Sequence, residues 1–410
     1  MSEQASLQRS LGVADAVVIG ARTIIGAGVF AAWAPAAEVA GTSLLIGLVI
    51  AAVVAFCNAT SSAQLAAVHP ESGGTYVFGR HRLGAGWGHL AGWGFVVGKT
   101  ASCAAMALTV GAYLWPERER LVAVVAVVGI TLVNIGGLTR TVAVTRIVLV
   151  VSTAALGAVV WAGWSSGEVD LGRITPLTGG PIEVLRSAGL LFFAFAGYAR
   201  IATLGEEVRE PAVTIPKAVP RALFAVLGVY AVVGVTALAT VDATSLASTD
   251  APLRLVAEVG SGVSPDVVRV GAGVAALGVL LNLIPGVSRT TLAMARRREL
   301  PAVLAHVDPR RSLPLRAEAT VAAVVIVLVV TVSIRSAIAV SGVAVLTYYA
   351  ITIAAALRLD GDERRWPRPL AILGLVGCVL LVVSLPPVAA ASGFGVLAVG
   401  VAVRRVLGGQ

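Results

Sequence analysis

Long apolar stretches without any charged residue recur along this chain, and they limit its possible folds more than any other feature. Five such windows are each about 19 to 22 residues long: 121–139, 147–167, 222–241, 270–288 and 336–357. A helix needs about 20 apolar residues to cross a lipid bilayer. The repetition of these windows predicts a protein that crosses a membrane many times.

The composition excludes several other classes of protein. The 410 residues are 57% hydrophobic and only 13% charged, whereas soluble domains carry about 25% charged residues. A soluble protein of this size cannot cover so much apolar surface, which excludes a cytosolic enzyme, a nucleic-acid-binding module and a disordered chain. The net charge of +9 fits the basic cytoplasmic loops of a membrane protein better than nucleic-acid binding. Because no metal-binding spacing occurs among the cysteines and histidines, we expect no metal and no cofactor.

Twelve helical spans account for the hydropathy of the whole chain. They predict one integral membrane domain over 1–410 with an all-α, multi-pass fold, because no stretch outside the spans is long enough for a separate soluble domain. The expected bounds are 11–35, 41–66, 86–114, 121–139, 142–163, 183–205, 216–241, 267–295, 317–334, 336–357, 369–385 and 388–405.

The distribution of basic residues predicts the orientation. With the N-terminus inside, the cytoplasmic side holds 21 of the 31 Lys and Arg residues and the outer side holds 7. Positive charge accumulates in cytoplasmic loops, whereas acidic residues contribute little to topology. We therefore expect a protein of the cell membrane, surrounded by the lipid bilayer, with both termini in the cytoplasm.

Two of the predicted spans contain glycine-rich interruptions near mid-membrane. Span 1 carries Gly26-Ala27-Gly28, and span 6 carries Gly197 among small and aromatic residues, about 170 residues later. Glycine weakens a helix interior, and interruptions at matching positions of two halves are typical of transporters built from inverted repeats. The alternative is that these glycines serve only close helix packing.

An interrupted helix offers a binding chemistry of its own. Its free backbone N–H and C=O groups are tolerated in a membrane only beside protein, water or a ligand. The N–H groups at a half-helix N-terminus attract a carboxylate, and freed carbonyls attract an ammonium. An α-amino acid carries both groups, so the two interruptions predict an amino-acid site.

Four segments resemble the amino acid–polyamine–organocation superfamily, and its actinobacterial-type amino-acid permeases in particular. They are IIGAGVF at 24–30, HPESGGTYVFGRHRLG at 69–84 followed by LAGWGFVVGKTAS at 90–102, LLFFAFAGYARIATLGEEVREPAVTIPKAVPRA at 190–222, and TTLAMARRRELPAVLAHVDPRRSLPLRAEA at 290–319. They cover most of spans 1–9, while spans 10–12 match only in hydropathy. The resemblance implies a leucine-transporter-type fold, with 5+5 inverted repeats over 11–163 and 183–357 and two extra helices over 369–405.

The resemblance also implies a substrate site between the two interrupted spans. Amides of Gly26 to Gly28 would receive the carboxylate, and carbonyls near Ile24 and Ala196 would receive the ammonium. Phe193 matches the aromatic gate of the family, and Glu206 and Glu207 match an acidic pair at the inner end of span 6. The substrate-binding residues expected in the two spans are Thr23, Ile24, Ile25, Gly26, Ala27, Gly28, Phe193, Phe195, Ala196, Gly197 and Tyr198.

Polar side chains in other spans are further candidates for the site. Asn282 in span 8 is a candidate substrate ligand, although interhelical hydrogen bonding is the commoner use of such a residue. Tyr348 and Tyr349 in span 10 offer hydroxyl groups to the same pocket. This chain also departs from the family: Ala199 stands where many members carry an acidic residue, and Ser152 where some carry a lysine.

Three basic residues lie inside predicted spans, where an ionisable group is a functional candidate by default. Lys99 lies at mid-depth in span 3. It either replaces a coupling cation or exchanges a proton during transport, or it bonds freed carbonyls in a purely structural role. Arg22 either takes a sodium-like position beside span 1 or extends to the inner surface. Arg200 is expected to pair with acidic loop residues.

The sequence favours a secondary active transporter of neutral amino acids, working as a proton symporter or as an exchanger of substrates. No phosphate-binding loop is present, so ATP is not the direct energy source. If Lys99 or Arg22 supplies a fixed cation, sodium coupling is disfavoured. The alternatives are a transporter of acidic amino acids or polyamines, and a non-transporting sensor with a permease-like body. An intramembrane enzyme is disfavoured because no catalytic residue set is found in the spans.

Overall fold

A computed structural model describes residues 12–26, 28–69, 73–136, 142–167, 169–198, 208–309 and 311–407. Within these ranges the chain forms seventeen α-helices and no β-strand, which is the way a membrane chain satisfies its own backbone. The helices are α1 (Val13–Ile24), α2 (Gly28–Ala31), α3 (Trp33–Ala40), α4 (Leu44–Val68), α5 (Thr75–Leu83), α6 (Ala85–Leu114), α7 (Glu119–Ile135), α8 (Val142–Ser165), α9 (Pro181–Phe195), α10 (Pro211–Thr240), α11 (Ala243–Ala247), α12 (Pro252–Val259), α13 (Pro265–Arg296), α14 (Leu315–Thr331), α15 (Ile334–Ala356), α16 (Arg368–Ser384) and α17 (Pro387–Leu407).

Among the residues that the structure describes, seven helical segments are long and apolar enough to cross a membrane, so the protein is a multi-pass membrane protein. They are Trp33–Val68, Ala85–Leu114, Ile147–Ser165, Val213–Thr240, Pro265–Arg296, Ile334–Ala356 and Pro387–Val406. Spans 1, 4, 6, 9 and 11 of the sequence analysis fall on shorter helices, among them the apolar helix Arg368–Ser384. The total of twelve spans therefore stays a prediction.

Helix α6 lies at the centre of the molecule. In the most apolar stretch of this helix, 83% of the residues are buried. The helix packs along both α13 and α15. Small residues allow this close packing: a Cβ atom added at Gly98 would lie 2.8 Å from the side chain of Val345, and the hydroxyls of Ser102 and Ser341 are 2.8 Å apart. The central position of α6 places Lys99 inside the bundle.

The helices that carry the predicted interruptions pack against a second set of helices. α9 lies along α4, α1 lies along α10, and α4 and α10 also contact each other. Together, α4 and α10 connect the two interrupted helices.

The outer surface of the helix bundle is apolar. Val125 on α7, Val150 on α8 and Val383 on α16 are each more than 60% exposed. Such a surface is stable in lipid and not in water, because the hydrophobic effect opposes its contact with water. The peripheral helices are therefore the ones that face the bilayer.

Candidate functional site

The first interruption lies where the glycines predict it. α1 ends at Ile24, the amide of Ile25 still donates to the carbonyl of Ala21 at 2.7 Å, and the amide of Gly26 turns back to the carbonyl of Ile24 at 2.7 Å. The next helix, α2, begins at Gly28. Ala27 and the side chains of Arg22 and Thr23 lie outside the described part of the chain.

The second interruption begins directly after α9. Residues 196–198 form a turn, in which the amide of Tyr198 donates to the carbonyl of Phe195 at 3.3 Å. In a continuous helix that amide would bond the carbonyl of Ala194, four residues earlier. The Ala194 carbonyl is therefore free for another donor. The remainder of predicted span 6, with Ala199, Arg200, Glu206 and Glu207, lies outside the described residues.

The two interrupted helices touch each other. A Cβ atom added at Gly28 would lie 2.8 Å from the Cα atom of Ala194, closer than real Cβ atoms approach other atoms. Gly28 is therefore the residue that lets the start of α2 lie directly against α9. The backbone groups of both interruptions consequently share one region of the molecule.

Tyr230 on α10 contacts carbonyls at the ends of both interrupted helices. Its hydroxyl lies 2.8 Å from the carbonyl oxygen of Ile24 and 3.0 Å from that of Ala194. The ring is buried and packs edge-to-face on Phe195, with the ring centres 5.2 Å apart. Tyr230 thus provides a donor at the ends of α1 and α9.

The carbonyl of Ala196, in the turn after α9, receives donors from two other helices. The ammonium of Lys99 on α6 lies 3.4 Å from it, and the hydroxyl of Tyr349 on α15 lies 3.3 Å from it. Lys99 is only 8% exposed. The carbonyls that the sequence analysis assigned to a substrate ammonium therefore already accept hydrogen bonds from this chain's own side chains.

Aromatic rings surround this carbonyl. Tyr198 stacks on Tyr349 with ring centres 5.1 Å apart, and Phe192 meets the same ring edge-on at 5.8 Å. Tyr348 lies beside it, with ring centres 5.0 Å apart. Stacked and edge-on contacts are the favoured geometries for aromatic pairs, so these rings form a rigid wall next to Ala196.

The predicted site residues do not all come together. Ile24, Ala196 and Tyr198 lie within the region just described, and Phe193 is half-buried, as an aromatic that closes a pathway would be. The side chain of Phe195 is fully buried in the core. Asn282 is exposed, and its amide donates to Gly278 of its own helix at 2.9 Å. No described contact joins Asn282 to the interrupted helices.

Tyr230 is not among the site residues predicted from the sequence. It is the single tyrosine of the uncharged window 222–241. A lone phenolic hydroxyl in a membrane span needs a hydrogen-bond partner when it is buried. This need is the feature of the sequence that could have identified Tyr230 as a candidate.

A second polar cluster lies at one end of the molecule, around Glu299. Its carboxylate accepts a hydrogen bond from Tyr76 at 2.7 Å and an ion pair from Arg80, both on α5, and the ring of His89 on α6 lies 3.6 Å away. Burial alone would raise the pKa of Glu299, but His89, Tyr76 and Arg80 together hold it below its usual value. Burial and the neighbouring carboxylate raise the pKa of Tyr76. The carboxylate of Glu299 thus ties α5 to the chain that follows α13.

Comparison with known proteins gives one family. Residues 11–403 match the amino acid permease family. A transporter of Mycobacterium tuberculosis is 56% identical over 407 residues, which cover 98% of this chain and 92% of that protein. A branched-chain amino acid permease of Bacillus subtilis is 26% identical over 337 residues, 76% of this chain and 72% of the permease. A human cationic amino acid transporter is 26% identical over 344 residues, 76% of this chain and 53% of that transporter.

Proposed function

Because this chain belongs to the amino acid permease family, we propose that it is a secondary active transporter that carries neutral amino acids across the cell membrane by alternating access. One observation carries the proposal: two interrupted helices meet at Gly28 and Ala194. Backbone groups exposed inside a membrane protein are the recurring substrate sites of such transporters. The substrate carboxylate would bind the amides at the start of α2.

The surroundings of the interruptions favour a neutral substrate. Among the described residues in contact there, the side chains are small or aromatic, and the single charged group is the ammonium of Lys99. A cationic side chain would meet a like charge with no described carboxylate to balance it. The relatives named above differ in their substrates, so the family alone does not decide this point.

Lys99 supports coupling by protons or by exchange of substrates. Its ammonium bonds the Ala196 carbonyl, and freed carbonyls are the groups that bind the transported cation in sodium-coupled members of such folds. A fixed cation at this place makes a transported sodium ion unnecessary. We therefore infer that uptake does not need sodium.

The helix contacts support the proposed 5+5 inverted repeat. An inverted repeat pairs the first span with the sixth, the second with the seventh, and so on to the fifth and tenth. A contact between two spans then has a counterpart between their two partners. The contact of α6 with α15 matches that of α13 with α8, and the contact of α4 with α9 matches that of α10 with α1. All four contacts are present. Together with the basic loops, this supports twelve spans with both termini in the cytoplasm.

Acidic amino acids are a second candidate substrate class. The observation that favours them is Lys99, whose ammonium reaches the turn at Ala196. A substrate carboxylate in the side chain would pair with this ammonium and gain charge-assisted hydrogen bonds.

The test is a transport assay with purified protein in liposomes. We expect accumulation of labelled neutral amino acids under an inward proton gradient, or their exchange against internal amino acid, with sodium replaced by choline. Glutamate and aspartate, added as competitors, separate the two substrate classes. A lack of uptake and exchange across all standard amino acids would contradict the proposal and favour the sensor. A melting-temperature screen with the same amino acids identifies those that bind, because a ligand of the folded state raises stability.

A further inference from the structure

The hydroxyl of Tyr230 stands between two acceptors although it carries a single hydrogen. The Ile24 carbonyl closes α1 and the Ala194 carbonyl closes α9, and both oxygens lie within 3.0 Å of the phenolic oxygen. The Ile24 carbonyl also accepts from the amide of Gly26 at 2.7 Å, whereas Tyr230 is the donor described for the Ala194 carbonyl. The single hydrogen of the hydroxyl serves one of the two oxygens at a time, or both in part. Two carbonyls from two helix ends that converge on one point form the kind of place in which transporters bind a small cation.

We propose that Tyr230 is a positioning residue that takes the place of a coupling cation between the two interrupted helices. The inference rests on the proposed function and deepens it, since it names the group that ties the ends of α1 and α9 together. Lys99 on α6 donates in a similar way to one carbonyl, that of Ala196. The chain thus provides a neutral donor at one position and a fixed ammonium at the other.

The position of Tyr230 is fixed by its surroundings. The ring is 1% exposed and packs on Phe195, the last residue of α9. α10, which carries it, lies along α1 and α4. The hydroxyl therefore moves with α10 and cannot turn away from the carbonyls without breaking this packing, which makes it a suitable tether between the two half-helices.

Removal of the side chain has a definite consequence. In Tyr230→Ala the two carbonyls still converge and the space of the ring is vacated. The Ala194 carbonyl loses its described donor, and the Ile24 carbonyl keeps only the amide of Gly26. Buried acceptors without a donor are unfavourable, so a small cation that enters this space is stabilised. In Tyr230→Phe the donor is lost as well, but the ring still fills the space, so a cation cannot enter it.

The chain offers a matched control in Tyr113 on α6. Its hydroxyl also donates to a carbonyl of the first interrupted span, that of Phe30 at 2.8 Å, and its ring is equally buried. The amide of Leu253 donates to the same hydroxyl at 3.3 Å. Tyr113 therefore resembles Tyr230 in burial and chemistry but contacts a single carbonyl, outside the interruption.

The experiment compares melting temperatures of the purified full chain, without substrate, in sodium chloride and in choline chloride at equal ionic strength. We expect sodium to raise the melting temperature of Tyr230→Ala by about 3 °C or more relative to choline, and to leave the wild type, Tyr230→Phe and Tyr113→Ala unchanged. An equal response of Tyr230→Ala and Tyr113→Ala, or a sodium response of the wild type, would overturn the inference.

The same proteins in liposomes give a second measurement, the sodium dependence of uptake. A merely structural role of Tyr230 would leave this dependence unchanged. Uptake by Tyr230→Ala should become sodium-dependent, with a KM that falls as sodium rises, while wild-type uptake stays independent of sodium. The two proposals fail separately. A wild type that moves no amino acid contradicts the transport proposal, yet the melting temperatures still decide the role of Tyr230, because that measurement needs no substrate.

Discussion

Gly28 has no side chain at the place where the start of α2 lies directly against α9. An added Cβ atom would lie 2.8 Å from the backbone of Ala194, and backbone cannot move aside as a flexible side chain can. The contact is therefore specific to glycine, and it sets the distance between the amides proposed to bind the substrate and the facing helix.

We predict that Gly28→Ala separates α2 from α9 and impairs transport. Overpacking of this kind costs about 1–3 kcal/mol, so the melting temperature should fall and uptake should drop. Gly129→Ala on α7 is the control, because nothing lies within 4 Å of a Cβ atom there, and alanine in a helix is favoured over glycine. Equal uptake by the two variants at equal protein amount would contradict the prediction.

Lys99 donates a hydrogen bond to the carbonyl of Ala196, and we predict that net uptake depends on it. In the empty transporter the Ala196 carbonyl needs a donor, and Lys99 and Tyr349 provide it. Exchange returns the transporter loaded, whereas net uptake returns it empty. Lys99→Ala should therefore abolish net uptake driven by a pH gradient while exchange of internal for external amino acid continues.

The control for this variant is Lys217→Ala, which removes an exposed lysine of α10. Uptake and exchange are measured in the same liposomes with and without internal substrate. Net uptake by Lys99→Ala with the pH dependence of the wild type would show that Lys99 takes no part in coupling.

At the scale of helices, the structure adds an element that hydropathy did not predict. α5 is a nine-residue helix with three basic residues in its last turn, and it is held to the end of α13 through Glu299. The lowered pKa of Glu299 means that its carboxylate stabilises the fold. This contribution is complete at a pH above the pKa of the group in the unfolded chain, and it is lost as the pH falls through the pKa in the folded protein.

We predict that Glu299→Gln lowers the melting temperature at pH 7, because Arg80 loses its partner. Hydrogen bonds to a charged group contribute about 1.5–3 kcal/mol. The difference from the wild type should shrink as the pH falls below 4.5, the ordinary value for this group, since the wild-type carboxylate is then protonated as well. Glu258→Gln, at an exposed pair with Arg254, is the control and should change little. A difference that grows on acidification would contradict this assignment.

The elements differ in how far the sequence could predict them. Apolar stretches of about 20 residues predict the seven spanning segments found among the described residues, because each needs only its own apolar residues. The end of α1 at Ile24 was predictable from Gly26 and Gly28 for the same local reason. The donor at that end was not, since Tyr230 lies 206 positions away along the chain, and no local pattern records such a contact. The exposed position of Asn282 likewise depends on packing between distant helices.

At the scale of the whole molecule, polar contacts close both ends of the helix bundle. Glu299 ties α5 at the end proposed to be cytoplasmic. At the opposite end, Arg335 at the start of α15 lies 2.5 Å from Glu38 on α3 and 3.4 Å from Asp250 in the loop before α12. The alternating access proposed above would require one of these sets to open while the other stays closed, so their relative strength would set the balance between the two states.

We predict that Arg335→Ala shifts the protein toward the state that is open to the proposed outer side. The arginine pairs with two carboxylates and donates to the Ala247 carbonyl at 2.6 Å, and partly exposed ion pairs contribute up to about 1 kcal/mol. A native thiol reports the change: Cys103 is buried in the wild type and lies one helical turn from Lys99 on the same face of α6.

Labelling of Cys103 by a membrane-impermeant thiol reagent, added outside sealed liposomes of known orientation, should be about two- to five-fold faster in Arg335→Ala than in the wild type.

Cys57 and Cys378 are equally buried but lie between α4 and α16, where Asn58 lies 3.2 Å from the sulfur of Cys378. They are internal controls, since general loosening would expose all three thiols. Arg254→Ala, which removes an exposed pair on the same side, should leave all three rates unchanged. Faster labelling of Cys57 and Cys378 together with Cys103 would mean that Arg335 stabilises the fold as a whole, and not the closed state of one end.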